Sequence, residues 1–114
     1  MSKAQNRVIK GKYNNKKIFS NGEFLTFYEV GTDPIRKPYV SEYELITEEK
    51  MKSGTSAILR GAAGMALLGG VGVLAGLTAK TKGIYTIAIL WKDEERSLIE
   101  IDEQLYKILV KSMF

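Results

Sequence analysis

Gly61-Ala62-Ala63-Gly64-Met65-Ala66-Leu67-Leu68-Gly69-Gly70-Val71-Gly72-Val73-Leu74-Ala75-Gly76-Leu77-Thr78-Ala79 is the stretch on which the reading of this chain turns, and it carries no charge between Arg60 and Lys80. Ala62, Ala66 and Gly70 recur at every fourth position, as do Gly72 and Gly76, so small residues share a helical face that another backbone can approach closely. Its length is near the roughly 20 residues of a membrane-spanning helix. A single pass, however, would place residues 39–47 and 84–92, both strand-like, on opposite sides of a bilayer and leave their sheet unformed. Lys50, Lys52 and Arg60 before the stretch and Lys80 and Lys82 after it give no inside-outside asymmetry.

Gly69-Gly70-Val71-Gly72 opposes continuous helix by about 1 kcal/mol per glycine relative to alanine. The expectation is therefore an inserted Gly/Ala-rich apolar hairpin over residues 53–80, with two short helical arms. Arms of about ten residues rise about 15 Å, half the roughly 30 Å of a bilayer core. Such a hairpin can dip into one leaflet, pack with copies of itself, or cover its own domain. An apolar patch of this size does not usually stay exposed on a monomer. Ala62, Ala66, Gly69, Gly70, Gly72 and Gly76 are accordingly the candidate association residues.

Outward from the stretch, the chain reads as strands. Residues 84–92 are β-branched and aromatic on both faces, which suits a central strand, and residues 97–101 return as its partner after a polar turn. In residues 39–47, Ser41-x-x-Glu44 resembles a capping box, but the alternation of Tyr39, Tyr43, Leu45 and Thr47 with Val40 and Ile46 favours a strand. Nearer the N-terminus, residues 7–13, 16–20 and 23–30 read as strands divided by Asn14-Asn15 and by Asn21-Gly22, the latter a hairpin signal because both residues tolerate positive φ. A loop with two prolines follows. Asp102 stands where an N-cap belongs, and Leu105, Ile108, Leu109 and Met113 follow at helical spacing, so the chain is expected to end in an amphipathic helix.

At 114 residues one domain is expected, large enough for a core but not for a separate catalytic lobe. Cysteine and histidine are both absent, which removes disulfides, thiolate chemistry, Ser-His-Asp triads and most transition-metal sites. No catalytic residue, metal or cofactor is expected. The polar start lacks the apolar core of a signal peptide, so a cytoplasmic location is expected, with association at the inner face of the membrane as its refinement.

Three signals look like chemistry. Gly70-Val71-Gly72-Val73-Leu74-Ala75 matches G-x-G-x-x-A, but no long buried strand precedes it, and Lys80-Thr81 lacks the glycine of a phosphate-binding loop. Glu48-Glu49 and Asp93-Glu94-Glu95 fall at expected turns, where solvated charge is ordinary. Charge is uneven: up to residue 38, Lys3, Arg7, Lys10, Lys12, Lys16, Lys17, Arg36 and Lys37 face only Glu23, Glu29 and Asp33. Lys10, Lys12, Lys16 and Lys17, around Tyr13 and Asn14-Asn15, are the candidate basic surface. That pattern is compatible with phosphate contacts and base stacking as well as with anionic headgroups.

From Val40 onward the chain resembles small Firmicute proteins with a bacterial pleckstrin-homology-like or GRAM-like domain interrupted by a glycine-zipper hairpin. The matching pieces are Glu44-Leu45-Ile46-Thr47-Glu48-Glu49, Arg60-Gly61-Ala62-Ala63-Gly64, the run from Leu67 through Gly76 to Leu77, and Trp91-Lys92-Asp93. Gly70 stands where a proline is common, and Glu94-Glu95 replaces an expected Asp-Gly. The resemblance implies an α+β fold: an antiparallel PH-like sheet or half-barrel with the inserted helical hairpin and a C-terminal helix, binding lipid or protein. The expected function is a non-enzymatic interaction module that self-associates, as a homo-oligomer, or binds an anionic membrane surface through the hairpin. The alternative is a phage-encoded or regulatory inhibitor of a host nucleic-acid enzyme, acting by contact with that host protein. Direct nucleic-acid binding is a further expectation, ranked below these.

Overall fold

The computed structural model describes residues 5–47, Ile58 and residues 83–114. Its organising element is β5, Ile84–Trp91, whose residues from Thr86 to Ile89 are all buried. A strand apolar on both faces gains most when sheet neighbours and packed layers surround it. It pairs antiparallel on one side with β6, Arg96–Asp102, and on the other with β4, Val40–Leu45. β1, Arg7–Gly11, joins the far side of β6, giving the order β1-β6-β5-β4. Two further strands of two residues each, β2 (Phe19–Ser20) and β3 (Leu25–Thr26), pair only with each other as strands. Their turn is set by Asn21, whose Oδ1 accepts from the backbone N–H groups of Glu23 and Phe24 at 2.9 and 3.1 Å, and by Gly22 at φ 95°.

The two sheet faces carry separate cores. Ile87, Ile89 and Trp91 of β5 meet Ile99 and Ile101 of β6, Val8 of β1 and Val40 of β4. Leu25, Phe27 and Ile35 cover this face together with Leu109 and Met113 of the helix α1, Glu103–Met113. On the opposite face Ala88 and Leu98 pack with Ile46 and Ile58, flanked by Ile9 and Leu90. The pairing irregularity between Val8 and Lys10 accompanies that arrangement, since a bulge shifts which residues point to which face.

Asp102 ends β6 and caps α1: its Oδ1 accepts from the Leu105 N–H at 2.9 Å, satisfying one of the helix's free donors. Asn6 braces the same residue, donating from Nδ2 to Asp102 Oδ2 at 3.1 Å and accepting the Asp102 N–H at 2.8 Å. The start of β1 is thereby tied to the start of the helix, 96 positions away.

The expected α+β, PH-like half-barrel is overturned. Strand makes up 42% of the described structure, with a single, C-terminal helix, as a four-stranded sheet and a separate two-stranded one. The reason lies in the N-terminal third. Residues 23–30 form only β3 and an isolated Leu25–Ile35 bridge, and residues 16–20 only β2 and an isolated Arg7–Lys17 bridge. Segments this short cannot extend the main sheet into a curved wall. The Asp93–Glu95 turn also differs from a two-residue hairpin: Trp91 N–H donates to the Glu95 carbonyl at 2.8 Å, and Glu94 takes φ 71°. The hairpin expected over residues 53–80 lies outside the described residues, Ile58 excepted.

Asp102→Ala is expected to lower unfolding free energy by about 1–2 kcal/mol through loss of the cap. Asp102→Ser, which restores the cap but not the Asn6 brace, should recover part of that loss; denaturant titration of the three chains checks the order.

Candidate interaction surface

Leu45 of β4 pairs with Ile87 of β5, and the Ile46 N–H still donates to the Thr86 carbonyl at 2.8 Å. The chain between Thr47 and Gly83 therefore departs from and returns to adjacent positions of one antiparallel ladder. Ile58 is fixed to the sheet within this interval. Its side chain is 2% exposed among Ile46, Ala88 and Leu98, its N–H donates to Glu44 Oε1 at 3.4 Å, and its carbonyl accepts from Arg96 Nε at 2.7 Å. Ala62, Ala66, Gly69, Gly70, Gly72 and Gly76 lie outside the described residues.

The four candidate lysines do not form one patch of free charge. Lys12 Nζ sits 2.7 Å from Asp93 Oδ2 and lies 5.1 and 5.0 Å from the ring centroids of Tyr13 and Trp91. This lysine is a strut holding the residue 12–15 turn against the core. Tyr13 supports the same junction, tilted on Phe27 at 5.0 Å and edge-on to Trp91 at 5.4 Å, and its hydroxyl accepts the Asp33 N–H at 3.0 Å. Trp91 Nε1 donates to Ser97 Oγ at 2.8 Å, and Ser97 Oγ donates to the Lys12 carbonyl at 2.7 Å, so the buried indole also holds the turn. Lys16 pairs with Glu29 at 2.9 Å. Lys10 and Lys17 have no ion-pair partner among the described residues.

Lys17 belongs to an open groove of about 650 Å³ lined with Asn14, Asn15, Lys16, Phe19, Phe27, Tyr28 and Glu29. Phe19 and Tyr28 were not singled out by sequence reasoning, since each fell within an expected strand. They are 43% and 62% exposed beside the buried Ile18 and Phe27, and their ring centroids lie 5.4 Å apart. Asn14-Asn15 was legible as a turn, but that it faces those rings was not. Among the described residues there is no cluster of three or more acidic side chains placed to hold a metal ion. No described helix is long and apolar enough to cross a membrane.

Comparison with family models, with curated proteins and with solved structures finds no match.

The Lys12–Asp93 pair makes the domain's stability depend on pH at both ends. The ammonium of Lys12, with a bond from the Glu95 N–H, holds the Asp93 carboxyl below its ordinary 3.8. That contribution is present above the ordinary value and is lost as pH falls through the depressed one. For Lys12, burial is the largest single influence and acts downward, but the Asp93 bond and the fields of Tyr13, Asp93 and Asp33 outweigh it and raise the ammonium above 10.5. Its contribution persists below that value and is lost as pH rises through the raised one. Asp93→Asn keeps an acceptor for the Glu95 N–H and removes the charge. Its melting temperature should lie below wild type at pH 7, and the gap should close as pH falls below the ordinary carboxyl range and through the depressed Asp93 value; a gap independent of pH would refute the ionic role.

Proposed function

We propose that the chain is a non-enzymatic interaction module whose sheet presents the charge-free run 61–79 as an out-and-back insertion that self-associates or docks on an anionic membrane surface. The observation that carries this reading is the β4–β5 ladder: with Leu45 opposite Ile87, the insertion leaves and rejoins the domain at one place. A segment rooted in this way can be offered to a partner without separating the strands that form the core. Ile58 adds a fixed point, held by Glu44 and Arg96 before the charge-free run begins. Small residues at fourfold spacing allow close packing between copies, and the absence of charge allows burial in the interfacial region of a leaflet.

Replacing residues 61–79 by a short Gly-Ser linker separates the insertion from the domain. Wild type is expected to form assemblies in plain buffer by light scattering, or to float with phosphatidylglycerol vesicles, and the linker variant to do neither while keeping a cooperative melt. A wild-type chain that is monomeric and fails to float would refute the proposal.

A further inference from the structure

Tyr28 occupies the left-handed region at φ 54°, an outlier for a bulky residue, yet its ring is not buried by it. The ring instead stands beside Phe19 at an interplanar angle of 39°, and its hydroxyl donates to the Ser20 carbonyl at 3.3 Å. Two aromatic faces are thus held side by side at the surface. Across the groove stands the 12–15 turn, where Asn15 also takes a left-handed φ of 70° and Asn14 and Asn15 are both exposed. Beyond them is Lys17, exposed and without an ion-pair partner among the described residues.

We infer that this groove binds a short single-stranded nucleic acid. The three kinds of group match three features of a nucleotide: the face of its base, the edge of its base and its phosphate. Aromatic faces accept a base by stacking, primary amides both donate to and accept from base edges, and an unpaired ammonium attracts phosphate. A lipid phosphate would use the ammonium but has no flat face for Phe19 and Tyr28 to stack on. Charge complementarity is local: of the charged lining residues, Lys16 and Glu29 neutralise each other and Lys17 leaves one positive charge for a phosphate. With Lys12 and Lys16 already paired, Lys17 supplies the groove's free positive charge, so stacking dominates and sequence preference is weak.

Fluorescence anisotropy with a labelled single-stranded oligouridine and oligothymidine, in low and moderate salt, tests this on the full chain. Wild type should bind, and Phe19→Thr with Tyr28→Asn should weaken binding by at least about fivefold, the loss of one stacked base. Asparagine accepts a left-handed φ more readily than tyrosine, so that variant should melt no lower than Phe19→Thr alone. Lys17→Gln should reduce the logarithmic salt slope by about 0.7, the value for one phosphate contact on a single strand. Absence of binding by wild type, or equal affinity in the ring variant, would overturn the inference. So would a ring variant that loses flotation on phosphatidylglycerol vesicles while oligonucleotide binding is unchanged, since the groove would then serve lipid.

Discussion

The structure depends on β5 being apolar on both sides. Ile87, Ile89 and Trp91 require cover on one face, and Ala88, with Leu98 beside it, requires cover on the other. Burial of such side chains stabilises by about 1.5–3 kcal/mol for each large residue, which is large against the net stability of a small domain. The first face is closed by α1 and by the loops carrying Leu25, Phe27 and Ile35. On the second, Ile46 and Ile58 meet Ala88 and Leu98 directly. The position of Ile58 is thus a consequence of the central strand's composition.

Polar groups decide how the layers are joined. Asn6 and Asp102 exchange two hydrogen bonds at the point where β1 begins and β6 becomes α1. The Trp91–Ser97–Lys12 relay satisfies a buried indole N–H and fixes the 12–15 turn to the sheet. An unpaired donor at that depth would cost about 1–3 kcal/mol, so the relay constrains geometry as well as stabilising it. Lys12, stacked by two rings and paired with Asp93, completes the junction. The turn is consequently a rigid support, and the groove on its outer side is bounded by positions the core determines.

The same junction explains why the basic N-terminal third is not a uniform positive surface. Coulomb attraction draws Lys12 to Asp93 and Lys16 to Glu29, partners 81 and 13 positions away, and leaves Lys10 and Lys17 for other uses. A sum of charges along the sequence therefore overstates the positive charge presented. The aromatic rings move in the opposite direction: Phe19 and Tyr28 face outward because their neighbours Ile18 and Phe27 are the ones turned into the core, and successive side chains of extended chain point to opposite sides.

What the sequence alone determined was local. The two-sided apolar run of β5, its partner β6, the strand at β4, the Asp102 cap and the helical spacing of Leu105, Leu109 and Met113 all follow from periodicity and capping chemistry within a few residues. The lack of charge in residues 61–79 was equally plain, as was the need for β4 and β5 to meet. Tertiary structure decided that β1 would flank β6, that the N-terminal segments would not close a half-barrel, which lysines would be neutralised, and that two aromatic rings would stand together facing Asn14-Asn15. Those outcomes rest on contacts between residues far apart in the chain, where competing hydrogen bonds, ion pairs and burial select one arrangement among several that share the same local pattern.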